Sequence, residues 1–261
     1  MKSMNRYIIL SLGLVLFSLS SHGDVKIEPI EASSSSKIET FEFFVNGRAT
    51  RGKIFLPAAY ETNKNLPAIY LIDFTEQQYR IATDEFEKVI AGVEQIRDFD
   101  ALVMTLEELL DIDSKPEEFQ EYYEIFRNMT SYVDANYSTN PSRTFIGKGS
   151  EGGLVLMTLF LESPESSVFE NFIVSDSPGS FNPTVMQMIE KDDFPKNKQN
   201  KKLHLSFSTS NNHDECIRLI NIINEAQYPW LQFESIEYTN SNYENTYPTS
   251  FAAGLKYVFD K

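Results

Sequence analysis

Cysteine is almost absent: Cys216 is the single one among 261 residues. An internal disulfide and a cysteine-based zinc site are therefore excluded. Histidine is scarce too, with only His22, His204 and His213 available, so proton transfer near neutral pH has few candidates. Basic residues are outnumbered, 23 Lys and Arg against 38 Asp and Glu, for a formal net charge of −15. Such acidity repels phosphate backbones and anionic bilayers, which argues against nucleic acid as a partner. Beyond residue 17 no apolar run is long enough to span a bilayer, so no stable membrane anchor is expected. Eleven glycines and 11 prolines are too few for a collagen-like or low-complexity chain.

What the chain does have is a large aromatic complement, 20 Phe and 13 Tyr, enough to build a sizeable core. It also has a leader-like beginning. Lys2 and Arg6 precede an apolar run from Tyr7 to Phe17, and Ser21-His22-Gly23 supplies small residues before Asp24. This is the pattern of a signal peptide over 1–23, with export to the periplasm or the medium; an uncleaved anchor is the alternative. Residues 24–37, with four consecutive serines, read as a polar lead-in, and 38–261 as a single domain.

Within that domain strands and helices alternate. Phe41–Val45 and Lys53–Leu56 flank Asn46-Gly47 as a hairpin. Short apolar runs at Pro67–Asp73, Ala101–Leu106, Arg143–Gly147, Phe172–Ser175, Leu203–Phe207 and Phe233–Tyr238 read as strands. Helical spacing covers Thr83–Ile96, Phe119–Tyr137, Gly152–Phe160, Cys216–Ala226 and Ser250–Phe259. This alternation predicts an α/β fold with a mainly parallel central sheet and helices on both faces. Ligands of such sheets bind beyond the carboxyl ends of the strands. The segment Gly147-Lys148-Gly149-Ser150-Glu151-Gly152-Gly153 lies there, after a strand and before a helix. A serine in that place suits a nucleophile elbow, and it suits helix capping equally.

The chain resembles the esterase branch of the α/β-hydrolase fold, the group of enterochelin esterases, esterase D and S-formylglutathione hydrolase. Ile54-Phe55-Leu56-Pro57 with Tyr60 is similar to the "LPxxY" strand, and Pro67–Asp73 to "PVLYLLDG". Tyr137 and Arg143 precede the turn as in "Y…R…GHSxGG". Phe169 through Pro178 resembles "P..F…SPS", and Gly254–Phe259 resembles the closing "GL.Y.F" helix. The resemblance implies a serine hydrolase acting on a carboxylic ester, needing no metal or other cofactor, with a small-molecule ester or ligand as its partner.

The departures fall on the catalytic positions. Counting back from Gly152-Gly153 puts Ser150 in the nucleophile place; counting forward from Arg143 and Gly147 puts Gly149 there. The resemblance assigns the oxyanion hole to the N–H groups of Phe74 and Glu151, and the acid to Asp214 or Glu215. Where it implies a histidine base, Tyr243 and Glu244 stand instead. Tyr, with a pKa of about 10, and Glu, at about 4, serve poorly as bases at pH 7. His213, beside the acid position, is the one available substitute, whereas His204 reads as a residue of the sheet. The triad is therefore expected to be degenerate, with weak or absent activity; the alternative is a non-catalytic binding protein of the same fold. Glu107, Glu108, Asp111 and Asp113 form an acidic loop that reads as solvated, with a hard cation as the competing reading.

Overall fold

Apolar residues at every second position, Phe41, Phe43 and Val45, give strand β1 (Lys37–Val45) one buried face, while Ile38 and Phe44 point to solvent. Asn46 and Gly47 both take positive φ, +50° and +81°, the requirement of a type I′ hairpin turn. The chain then returns as β2 (Arg48–Leu56), which begins five residues earlier than apolar content alone predicts. A single 3-10 turn covers Ala58–Glu61.

The computed structural model describes residues 36–72, 85–107, 119–176, 183–195, 199–210, 213–242 and 246–259. All of them belong to one compact unit, Ala32–Lys261. The remaining strands are β3 (Ala68–Leu71), β4 (Leu102–Leu106), β5 (Arg143–Lys148), β6 (Asn171–Ser175), β7 (Lys201–Ser208) and β8 (Leu231–Tyr238). The helices are α1 (Glu85–Glu94), α2 (Phe119–Asn136), α3 (Gly149–Leu161), α4 (Pro183–Glu190), α5 (His213–Ala226) and α6 (Tyr247–Phe259). Helix α4, with proline in its first position, is the one that hydrophobic spacing does not predict.

The strands form one eight-stranded sheet in the order β1-β2-β4-β3-β5-β6-β7-β8. Only β2 runs against the others, pairing antiparallel with β1 and β4. Strands β3, β4 and β6 are buried along their length and β5 at all but its two end residues, as expected of a sheet covered on both faces. Successive residues serve opposite cores. On β5 and β6, Phe145, Phe172 and Val174 pack on one side with residues of α2, α3 and α5. Ile146 and Ile173 pack on the other with Phe86 and Val89 of α1 and Phe251 and Leu255 of α6. The first core is aromatic, with Phe145 stacked on Phe169 at 4.4 Å between centroids and Phe126 edge-on to Phe145 at 4.9 Å. No helix among the described residues is long and apolar enough to cross a membrane.

Candidate functional site

The parallel strands end at one edge of the sheet, where several chain segments bring their side chains together. β5 ends at Lys148, and the chain enters α3 through a single turning residue, Gly149, at φ +51°. Only glycine takes that conformation without steric cost. The turn is tight because Gly147 lies against the start of the helix. A Cβ added there would meet the Glu151 carbonyl carbon and oxygen at 2.7 Å. A strand, a tight close approach two residues before and two residues after, and a positive-φ apex between them make a nucleophile-elbow backbone. The apex is Gly149. Ser150 already lies in the first turn of α3 and is not its cap; the N-cap position is Lys148, whose side chain makes no capping bond. The side chain of Ser150 lies outside the described atoms.

Around this turn the structure gathers charged groups that sequence reasoning did not single out. Lys148 Nζ donates to Glu85 Oε1 of α1 at 3.2 Å, both largely buried. Burial holds the Lys148 ammonium below its usual pKa, against the pull of Glu85. Asp176 follows β6 with φ +50° and is fully buried. Its Oδ1 accepts from Ser208 N at 2.8 Å and Ser208 Oγ at 2.9 Å, at the end of β7. Its Oδ2 has no hydrogen-bond partner among the described residues. Burial raises the Asp176 carboxyl pKa. Ser250 of α6 donates to Ser175 Oγ at 3.0 Å. Cys216 of α5 is buried; burial and the nearby Asp176 charge push its thiol upward. The signal for Lys148 and Asp176 was their position alone, one residue past a glycine or serine at a strand end.

The residues expected to supply acid and base sit differently. His213 is the first residue of α5, its side chain 38% exposed. Its Nδ1 faces Asp214 Oδ1 at 3.2 Å and its Nε2 faces Glu237 Oε1 of β8 at 3.4 Å. Asp214, then Glu237, raise its pKa. A carboxylate thus faces each ring nitrogen, an arrangement that favours the protonated ring. Asp214 is fully exposed and Glu215 is exposed, neither turned into the sheet edge. Glu151 lies within electrostatic reach of Lys148. Phe74, Asp73, Tyr243 and Glu244 lie outside the described residues. His204 is, as expected, a residue of the sheet: completely buried on β7, Nδ1 at 2.9 Å from Glu234 Oε2. Of the acidic loop, Glu107 accepts from Thr40 Oγ1 at 3.1 Å and lies 3.8 Å from Arg51; Glu108, Asp111 and Asp113 are outside the described residues. Among the described residues no three of His, Cys, Asp or Glu are placed to hold a metal ion.

A mixed sheet in this strand order, with one reversed strand and an elbow at the end of its fifth strand, is the α/β-hydrolase fold, and this chain has it. No protein-family model matches the sequence, and no curated protein matches it. Solved structures do. An IroE-like serine hydrolase from Shewanella oneidensis superposes with a TM-score of 0.68 at 12% identity, covering 85% of this chain and 80% of that one. The siderophore hydrolase EstA from Aspergillus nidulans gives 0.62 at 12% identity over 89% and 97% of the two chains. S-formylglutathione hydrolase from Staphylococcus aureus gives 0.58 at 11% identity over 85% and 96%. These neighbours come from the esterase branch of the fold, and at such identities the likeness is one of architecture.

Proposed function

We propose that this chain is an exported, esterase-like protein of the α/β-hydrolase fold with a degenerate triad. Ester hydrolysis by it is weak or absent, and its ligand is a small ester or a related molecule. One observation carries the reading: the chain turns from β5 into α3 at Gly149. The elbow apex is where a nucleophile must stand to be lifted above the sheet, and glycine has no hydroxyl. Ser150 is one position into the helix, so the N–H that follows the apex is its own rather than that of Glu151. The surroundings agree. A serine hydroxyl attacks only when a base takes its proton, and both nitrogens of His213 are turned to carboxylates. The hydrolases that the chain resembles, a siderophore hydrolase among them, support a small ester as the ligand class. Export rests on Lys2, Arg6 and the apolar stretch after them.

The test is turnover of p-nitrophenyl acetate by the purified, folded chain. The expected rate lies within about tenfold of buffer and is the same in Ser150→Ala. A rate abolished by Ser150→Ala or by His213→Ala overturns the reading.

A further inference from the structure

At the opposite edge of the sheet, where the parallel strands begin, lies a groove of about 630 Å3. It belongs to the ends of α4 and α5 and the turn before β8, and owes nothing to the elbow. Its wall is aromatic. Tyr228 and Trp230 line it and stack at 5.3 Å between centroids, 25° apart. Its rim is acidic, formed by Glu190, Asp192 and Glu225, and among the described residues no lysine or arginine lines it. Glu190 is held in place by Arg218, whose Nε donates to it at 2.7 Å from outside the groove. Burial, then the neighbouring Asp192 carboxylate, pushes the Tyr228 phenol up to about 12, so its hydroxyl stays protonated.

Two helices also end here. α4 gives way to Asp192 at φ +57° and α5 to Gln227 at φ +46°, so both C-terminal dipole ends add negative potential beside the carboxylates. The volume is that of a small-molecule site rather than of a macromolecular interface. Aromatic faces and carboxylates together attract one kind of ligand, a cation that carries apolar surface; a neutral ligand leaves the charge unused and an anion is repelled. We propose that this groove binds a small organic cation, an ammonium ion with an aryl or alkyl body.

Trp230 is the sole tryptophan of the chain, so its emission reports on the groove directly. The purified full-length chain is titrated with benzyltrimethylammonium, and with benzyl alcohol as the uncharged counterpart. The ammonium ion is expected to give a saturable change in Trp230 emission and benzyl alcohol none. In the Asp192→Asn/Glu225→Gln chain, affinity for the ammonium ion is expected to fall roughly tenfold. Raising salt from about 0.05 to about 0.5 M is expected to weaken binding to the unaltered chain as well, which keeps the test decisive if the variant does not fold. Absence of a saturable change overturns the proposal. So does an equal response to benzyl alcohol, or an affinity indifferent to salt or to the two substitutions in folded protein.

Discussion

Gly147 and Gly149 share one turn but do different work. Gly149 supplies a positive φ, and an alanine there pays for a left-handed backbone, about 1–2 kcal/mol. Gly147 supplies a contact. Its missing Cβ would press on the rigid backbone of Glu151 at 2.7 Å, so Gly147→Ala should be the more damaging change, up to about 3 kcal/mol. Urea denaturation of the two variants checks the order; equal or reversed losses would refute this account of the turn. His204 yields a prediction in pH. Burial lowers its pKa despite the Glu234 carboxylate, so the ring is harder to protonate in the native state than in the unfolded chain. The unfolded chain binds a proton near pH 6.5 and the folded chain only at lower pH. Native stability therefore falls as pH drops below about 6.5 towards the folded value, and this contribution is flat above. The urea midpoint should fall between pH 7 and pH 5 by more in the unaltered chain than in His204→Gln. Asp176 runs the other way. Its carboxyl pKa is raised by burial, so the folded state binds a proton more readily than the unfolded state, and its ionisation costs stability as pH rises. Asp176→Asn keeps an acceptor for Ser208, and thermal denaturation should show it gaining on the unaltered chain between pH 4 and pH 8.

Between elements, the most demanding contact is the buried ammonium of Lys201 at the start of β7. It is paired with Glu162 at 3.3 Å, just past α3, and donates to Ser167 Oγ and the Phe169 carbonyl. Glu162 in turn accepts from the Tyr123 hydroxyl of α2 at 2.6 Å and from Val168 N at 2.6 Å. Three elements are thus tied below the sheet by one ion pair. Removing one partner strands the other, so Lys201→Met should cost about 3–5 kcal/mol. Lys201→Met/Glu162→Gln should recover part of that in a double-mutant cycle; additive losses would show that the two do not act as a pair. None of this was legible from sequence, because lysine reads as a surface residue and its partner lies 39 positions away. The elements themselves were legible. The Asn46-Gly47 hairpin, the buried runs that became β3 to β6 and the spacing of α1, α2, α5 and α6 follow from local pattern. Helix α4 was not, being short and opened by a proline usually taken as a breaker. The site divided in the same way. The elbow was readable as a turn, but two ways of counting left its apex open, and a backbone angle, not a residue type, decides it. The fate of His213 depended on Glu237, brought beside it only when β8 pairs with β7.

For the molecule as a whole, composition foretold the class. An aromatic-rich chain with alternating strands and helices became one eight-stranded sheet with two cores, and the resemblance carried by scattered short motifs matches the solved hydrolases it superposes on. Export is expected to leave a chain starting at Asp24. N-terminal sequencing of protein expressed in a secreting host checks this, and a chain still carrying Met1–Gly23 contradicts it. The proposed function requires an esterase scaffold around an elbow without an armed hydroxyl. Covalent labelling with a fluorophosphonate probe tests it most directly, because such probes mark activated serines regardless of substrate. Folded protein is predicted to remain unlabelled at probe concentrations that saturate an active esterase run alongside; a stoichiometric adduct located on Ser150 and absent from Ser150→Ala would contradict it.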